Sequence, residues 1–237
     1  MNSRADGAPL AKDASARSED STSGTDSRRA RSILPRAASG GPEGRLRRPG
    51  GATGEQRGIG VLVSGEGTNL QVLLDADLPV VAVASNQPGV RALERAEAAG
   101  VPSAVFPLDG YPSRDARDAA MADWLEGHGV ELVVCAGYMQ LLQRSFLERF
   151  PGRVVNVHPA PLPDFPGAHP LEDVLAVGAR EAAATVHYVD DGVDTGPVIA
   201  SEPVPVLAGD TVETLRARVH EAEHRLLPEV VAGLCAR

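Results

Sequence analysis

The chain contains little cysteine, little lysine and few aromatic residues, and these scarcities exclude several classes of protein. Its 237 residues include two cysteines, eight aromatic residues and a single lysine, Lys12. Because Cys135 and Cys235 are too few for a disulfide framework or a cysteine-based metal site, we expect a protein of the reducing cytoplasm. No stretch approaches the roughly 18 apolar residues that a membrane span requires. We therefore expect a soluble protein without a membrane partner.

Charge and apolar side chains are divided unevenly at Arg57. Residues 1–57 hold 11 Lys and Arg against 7 Asp and Glu and no aromatic residue, whereas residues 58–237 hold 12 against 25. A segment with so little apolar surface cannot offset the entropy of folding, so we predict that residues 1–57 are a disordered tail. The segment is either a solvated extension or the product of a start codon assigned too far upstream. The acidic remainder, 58–237, predicts one folded domain that does not bind nucleic acid.

From Gly58 onward, short apolar runs alternate with amphipathic stretches, a pattern typical of parallel strands covered on both faces. The alternation predicts βαβ units and an α/β fold: a single-domain, open, mostly parallel, doubly wound sheet of the Rossmann-like kind. The predicted strands are 59–64, 79–85, 132–136, 154–158, 184–189 and 198–206. The predicted helices are 69–75, 90–99, 113–127, 145–150, 171–177 and 211–232, the last with Asp210 as N-cap and Glu213 as capping-box partner.

Ligands bind such sheets beyond the carboxyl ends of the strands, and the first predicted strand ends in a glycine-containing turn, residues 64–69. Backbone N–H groups at the N-terminus of the following helix are suited to holding a phosphate. The turn lacks the Lys of a phosphate-binding Walker loop, and Leu70 stands where a dinucleotide motif needs its third glycine. A phosphate monoester on a small substrate and a simple tight turn are equally supported.

Asn156 and His158 lie two residues apart on one predicted strand, so their side chains share a face. An amide donor beside an imidazole supplies the two needs of acyl transfer, an oxyanion partner and a proton carrier, although a lone histidine is more often structural. Asp194 lies in a turn rich in Gly and Pro, and beside His158 it would orient and charge-balance the ring. The neighbouring Asp190 and Asp191 suggest calcium, but the spacing of an EF-hand is absent.

The other histidines and Cys135 offer no second chemistry. His128, His169, His187, His220 and His224 lack metal-ligand spacing, and His220 with His224 suggests a surface pair on one helix. Cys135 lies inside an apolar strand, where a thiol is usually inert. We therefore expect no metal and no covalent enzyme intermediate, but a direct attack by an amine of the substrate.

Five groups of residues together carry a family resemblance that runs from about residue 59 to the last helix. They are SGEGTNLQ at 64–71, AGYM at 136–139, NVHP at 156–159 with LP at 162–163 and FPG at 165–167, TVHYV at 185–189, and GVDTGPVI at 192–199. This set resembles the phosphoribosylglycinamide formyltransferase family. The resemblance implies transfer of a formyl group from 10-formyltetrahydrofolate to the amine of 5-phosphoribosylglycinamide, giving formylglycinamide ribonucleotide and tetrahydrofolate in purine (IMP) biosynthesis.

The resemblance also implies a role for individual residues. Asn156 would hold the oxyanion, His158 would act as acid and base, and Asp194 would position His158. The phosphoribosyl substrate would be bound by Gly67, Thr68, Asn69 and Glu223. The folate would be bound by Arg114, Met139, Gln140, Leu141, Leu142, Asn156, Asp190, Asp191, Gly192, Val193 and Asp194, with Arg114 at its glutamate tail.

This chain departs from the family at Gln140, where many members carry Arg, and at Ala160-Pro161, where Ser-Leu is more frequent. Both departures flank the implied site. The implied partners are small molecules alone, and the chain is either a monomer or a homodimer.

Related activities remain as alternatives. Methionyl-tRNA formyltransferases carry a further C-terminal β-domain, and formyltetrahydrofolate deformylases carry a folded N-terminal regulatory domain, so the expected domain content disfavours both. A catalytically silent phosphometabolite-binding protein would lack polar groups at one of the three strand ends, yet all three have them.

Overall fold

A computed structural model of the chain describes residues 56–236, which form a sheet of seven strands with helices on both faces. The strands are β1 Gly58–Val63, β2 Val80–Ser85, β3 Ser103–Val105, β4 Val130–Cys135, β5 Val154–His158, β6 Glu181–Tyr188 and β7 Val198–Pro205. The helices are α1 Thr68–Asp75, α2 Arg91–Ala98, α3 Arg114–Gly127, α4 Arg144–Leu147, α5 Pro170–Ala176 and α6 Val212–Cys235, and a 3₁₀ turn covers Leu108–Gly110.

The strand order is β3-β2-β1-β4-β5-β6-β7. Strands β1 to β5 pair in parallel, whereas β6 pairs antiparallel with both β5 and β7. The open, mostly parallel α/β fold predicted from the sequence is thereby confirmed. The order reverses between β1 and β4, so the loops that follow these two strands diverge and leave a crevice at the carboxyl edge.

Two apolar layers cover the sheet, because successive residues of a strand point to opposite faces. Val61 of β1 packs in one layer with Leu70 of α1 and Leu227 of α6. Its neighbour Leu62 packs in the other with Leu125 of α3 and Phe146 of α4. Both faces of β1 are therefore dry, which explains why the strand is a continuous apolar run in the sequence.

Most predicted elements begin and end within a few residues of the observed ones, but two differ in substance. Strand β3 was not predicted, because a three-residue strand with one buried side chain, Ala104, has too little alternation to be recognised. Strand β6 begins at Glu181, three residues before the predicted start at 184. Three alanines follow Glu181, and alanine has a low strand propensity. They are extended here because they pair with β7.

The predicted cap of α6 is wrong by one residue. The N-cap is Thr211, whose hydroxyl accepts from the N–H of Thr214 at 3.3 Å, while the Thr214 hydroxyl accepts from the N–H of Thr211 at 2.9 Å. The carboxylate of Asp210 accepts instead from the N–H of Leu207 at 2.7 Å and from the hydroxyl of Thr214 at 2.9 Å, and it pairs with Arg218 further along the helix. Asp210 therefore lies just before the cap and contacts the helix through side chains.

The predicted tail, residues 1–57, lies outside the described residues except for Gln56 and Arg57. The N–H of Arg57 donates to the carbonyl of Cys235 at 3.4 Å, and its guanidinium donates to that of Leu234 at 3.5 Å. Within residues 56–236, none of the helices combines the length and apolarity of a membrane span.

Replacing Thr211 with Ala is expected to lower the free energy of unfolding by about 1 kcal/mol, because an N-terminal N–H of α6 loses its partner. Chemical denaturation measures the change. The matched control is Glu229→Ala, an exposed position in the middle of α6, where the change should stay within about 0.5 kcal/mol. Equal stability of the Thr211→Ala variant and the wild type would contradict the observed cap.

Candidate active site

A cleft of about 1050 Å³ opens at the carboxyl edge of the sheet, above the ends of β1, β4 and β5. Four segments form most of its wall: residues 64–69, 135–144, 156–159 and 189–194. Helix α6 closes one side with Glu223, His220 and Arg216. The cleft thus lies at the crevice that the strand order creates.

The cleft brings together every site residue expected from the sequence except Arg114. Arg114 is the first residue of α3 and is exposed. It is not among the residues that line the cleft in the described part of the chain. Its contact with a folate tail therefore stays a prediction. The structure also adds residues to which no site role had been given, above all His187 of β6 and Ser64 at the end of β1.

The glycine turn, residues 64–69, is shaped by close contact with α2. Gly67 has a φ of +70°, and a Cβ there would lie 2.5 Å from the Cβ of Ala92. The first backbone hydrogen bond of α1 runs from Gln71 N to Gly67 O at 3.0 Å, so the preceding N–H groups have no partner within the helix. Such N–H groups, helped by the helix dipole, favour an anionic ligand.

Asn69 and Glu223 form a buried pair where α1 meets α6. The Nδ2 of Asn69 donates to the Oε2 of Glu223 at 2.9 Å, and Glu223 is 4% exposed. Burial raises the pKa of Glu223, and the hydrogen bond from Asn69 opposes the rise. The Oδ1 of Asn69 is buried and has no hydrogen-bond partner within residues 56–236. The pair therefore leaves an acceptor available to a ligand in the cleft.

The carboxylate of Asp194 lies beside both Asn156 and His158. Its Oδ2 is 3.5 Å from the Nδ1 of His158, and its Oδ1 is 3.5 Å from the Nδ2 of Asn156. The backbone of Asp194 is left-handed, with φ +52°, and the N–H of Gly167 donates to Oδ2 at 2.9 Å. The turn and this N–H hold the carboxylate against two neighbours whose strand directs them to the same face.

The partner of His158 indicates which ring nitrogen carries the proton. The Nε2 of His158 lies 2.7 Å from the carbonyl oxygen of Phe165. A carbonyl only accepts, so Nε2 is protonated in the neutral ring, and the lone pair is on Nδ1, which faces Asp194. A proton that arrives at Nδ1 would be stabilised by the carboxylate.

Two opposing effects act on the pKa values of His158 and Asp194. Burial lowers the pKa of His158, and the Phe165 carbonyl and the charge of Asp194 oppose that shift without reversing it. Burial acts to raise the pKa of Asp194, but contacts with His187, the N–H of Gly167 and His158 leave it below its ordinary value. The resting pair is therefore a neutral imidazole beside a carboxylate.

His187 orients Asn156, a role that the sequence did not reveal. Its Nδ1 lies 2.8 Å from the carbonyl oxygen of Tyr188, so the lone pair is on Nε2, which lies 3.2 Å from the Nδ2 of Asn156. Asn156 and His187 are register partners of the antiparallel pair β5 and β6. Only that register could have revealed the contact.

The loop that carries Asp194 is fixed by its own side chains. Asp190 accepts from the N–H of Gly192 at 3.1 Å and from the hydroxyl of Thr195 at 2.7 Å. A Cβ on Gly196 would lie 1.8 Å from the carbonyl oxygen of Tyr188, so the chain passes too close there for any other residue.

Groups of three or more His, Cys, Asp or Glu that could hold a metal are absent from residues 56–236.

The opposite wall of the cleft is the segment 139–143. Its Met139 and Leu141 are 76% and 52% exposed, a large apolar exposure for the wall of a cleft. The hydroxyl of Ser64 accepts from the N–H of Met139 at 2.9 Å and donates to Asn86 at 2.6 Å, which ties the loop to the glycine turn. Below it, Cys135 is buried, and desolvation raises the pKa of its thiol to about 12.

Comparison with protein families places this fold and cleft in a known class. Residues 57–231 match the model of the formyl transferase family, and the chain belongs to that family.

Among named relatives, a phosphoribosylglycinamide formyltransferase of Mycobacterium tuberculosis is 50% identical over 179 residues, which are 73% of this chain and 83% of that protein. The trifunctional purine biosynthetic protein adenosine-3 of Drosophila pseudoobscura pseudoobscura is 43% identical over 186 residues, 75% of this chain but only 14% of that protein. The solved glycinamide ribonucleotide transformylase 1 of Symbiobacterium toebii has 46% identity and a TM-score of 0.74, covering 76% of this chain and 87% of its own. The sequence resemblance is thereby confirmed.

Proposed function

We propose that this chain transfers the formyl group of 10-formyltetrahydrofolate to the amine of 5-phosphoribosylglycinamide. The products are formylglycinamide ribonucleotide and tetrahydrofolate, a step of purine (IMP) biosynthesis. The main structural support is that one cleft contains Asn156, His158 and Asp194 between a glycine turn suited to a phosphate and an apolar loop. The relatives named for this activity give independent support.

In this proposal the amine of the acceptor attacks the formyl carbon directly and forms a new C–N bond in a tetrahedral intermediate, and the C–N bond to the folate then breaks. His187 orients the amide of Asn156, and the amide N–H that lies 3.5 Å from Asp194 would instead donate to the carbonyl oxygen as negative charge develops there. The Nδ1 of His158 accepts the proton that the attacking amine loses, and His158 then returns it to the departing nitrogen. Asp194 stabilises the imidazolium that exists between the two proton transfers.

The two substrates would occupy opposite ends of the cleft. We assign the phosphoribosyl group to Gly67, Thr68 and Asn69, with Glu223 as a further contact, because free N–H groups and a buried acceptor meet there.

The flat folate ring is assigned to the segment 139–143, from here on called the donor-side loop, and to the loop 190–194, because both carry apolar side chains at the cleft edge. Arg114, at the start of α3, is assigned to the glutamate tail. A volume of about 1050 Å³ is at the upper end of the range for single small-molecule sites, which suits two ligands held together.

Residues 58–237 are proposed as the catalytic domain and residues 1–57 as a segment outside it. We propose the cytoplasm as the site of action, because Cys135 and Cys235 are both free thiols, as is usual in a reducing compartment. Small molecules are the proposed partners, and no metal is assigned a role.

An assay of the purified protein with 10-formyltetrahydrofolate, with and without phosphoribosylglycinamide, tests the proposal. Tetrahydrofolate is expected to form only when the acceptor is present, together with the formylated ribonucleotide. Release of formate without the acceptor would instead indicate a deformylase. Absence of both products would refute the proposed transfer.

His158→Ala and Asp194→Asn are each expected to lower kcat by about 10²- to 10⁴-fold, because proton transfer or its support is lost. Thermal unfolding and circular dichroism should show a folded protein in both cases. His128→Ala is the matched control, because His128 bonds to the carbonyl of Trp124 outside the cleft and should leave kcat unchanged. Turnover near the wild-type rate in either site variant would be incompatible with the assigned roles.

The pH profile of kcat/KM provides a separate measurement. His158 must be neutral to accept a proton, and burial lowers its pKa from the ordinary value of 6.5, so the acidic limb should lie below pH 6.5. The charge of Asp194 raises the pKa of His158, so the residual activity of Asp194→Asn should show this limb at still lower pH. NMR titration of the His158 ring gives the same shift directly, and an unmoved or raised pKa would contradict the pairing.

A further inference from the structure

Two side chains from distant parts of the chain hold the two ends of the donor-side loop. The N–H of Met139, at its start, donates to the hydroxyl of Ser64 at 2.9 Å. The N–H of Gln143, at its end, donates to the Oδ2 of Asp118 at 2.7 Å. The position of an irregular loop thus depends on one side chain that follows β1 and one that belongs to α3.

Asp118 is an unexpected anchor, because it is fully buried together with its neighbour Arg117. Both side chains are 0% exposed and lie outside the described residues that line the cleft. The Nε and NH2 nitrogens of Arg117 contact the Oδ1 of Asp118 at 2.7 and 2.6 Å. One carboxylate oxygen therefore serves the guanidinium and the other serves the loop.

Stability of the fold does not account for this ion pair. Removing two charges from water is costly, and apolar residues of similar size often stabilise a core equally well. The NH1 and NH2 nitrogens of Arg117 are buried and have no hydrogen-bond partner in the described part of the chain, although NH2 lies within ion-pair distance of Asp118. Burial also raises the pKa of Asp118, and the N–H of Gln143 and the guanidinium of Arg117 act against that rise. Asp118 reaches the cleft through its hydrogen bond with the N–H of Gln143, a residue of the cleft wall.

The donor-side loop has a particular need for such an anchor. Met139 and Leu141 are largely exposed, so their own packing cannot fix the backbone. A loop ordered before binding spares the ligand the entropy of ordering it, which improves affinity. An apolar ligand that covers Met139 and Leu141 would benefit most.

We propose that Asp118, oriented by Arg117, is a positioning residue for the formyl donor, because it holds the Gln143 N–H and with it the donor-side loop. This inference rests on the proposed function. Asp118 touches neither substrate and acts through the loop alone, so its loss should weaken binding of the folate and leave the acceptor end unchanged.

Two double variants isolate the hydrogen bond from the buried charges. Arg117→Met with Asp118→Asn removes both charges but keeps a side-chain oxygen for the Gln143 N–H. Arg117→Met with Asp118→Ala removes both charges and the oxygen. Arg117 is replaced in both, because its guanidinium would otherwise compete for the single oxygen of the Asn amide.

Steady-state kinetics with each substrate varied in turn should separate the two variants. For the Ala variant the KM for 10-formyltetrahydrofolate is expected to rise roughly ten- to a hundredfold, while the KM for phosphoribosylglycinamide stays within about twofold. The Asn variant should remain close to the wild type. The control is Asp123→Ala, a substitution of an exposed residue of α3 that pairs with Arg149, and it should change neither KM.

Hydrogen exchange gives a measurement that does not depend on turnover. The amides of residues 139–143 should exchange faster in the Ala variant than in the Asn variant, while those of β1 and β4 remain protected. Gln143→Pro deletes the same N–H from the loop side, and the φ of −83° at Gln143 suits proline. This variant tests the same hydrogen bond if a double variant does not fold.

The positioning role is overturned if the Ala and Asn variants have equal donor KM, if both KM values rise together, or if exchange of the loop is unaltered. If the wild type transfers no formyl group, the proposed function fails and the donor-specific role fails with it. Faster loop exchange in the Ala variant would then show only that Asp118 holds the loop.

Discussion

The carboxylate of Asp194 is the interaction on which the rest of the site depends. It lies within 3.5 Å of both Asn156 and His158, and of His187 as well. The polar side chains of Asn156, His158 and His187 meet in a nearly dry space, where an added positive charge without a partner would be costly. The carboxylate accepts from the Asn156 amide and would stabilise a proton that arrives at His158, and the N–H of Gly167 in turn fixes the carboxylate. The turn around Gly196 and the hydrogen bonds of Asp190 fix the loop that carries the Asp194 carboxylate.

The sheet explains why this carboxylate lies in the cleft. Strand order reverses between β1 and β4, so the loops after them separate and leave space above β5. The antiparallel strand β6 then brings His187 beside Asn156, and the chain beyond it returns over the cleft with Asp194. The antiparallel direction of β6 thus places His187, and the loop that carries Asp194, beside Asn156.

Much of this could be predicted from the sequence, and the failures have physical causes. Period-two spacing places Asn156 and His158 on one face, and continuous apolar runs indicate strands covered on both sides. The turn that carries Asp194 is rich in Gly and Pro and marks that residue as a candidate, whereas Glu223 needed the family resemblance, because no local pattern links it to α1. His187 depends on the register of an antiparallel pair, which the sequence of either strand alone does not specify. Arg117 and Asp118 read as an exposed charged stretch of α3, because charged residues are seldom fully buried.

The contrast between the exposed Met139 and the buried Cys135 decides where oxidants react. Peroxide attacks thiolates and accessible thioethers, and the Cys135 thiol remains protonated and covered. Met139 is 76% exposed as a residue, so its thioether is the accessible sulfur of these two residues. Its sulfoxide is polar and would stand on an otherwise apolar wall of the cleft, and methionine sulfoxide is repairable whereas the higher acids of cysteine are not. Oxidative damage to this part of the molecule is thereby directed to the residue at which it can be undone.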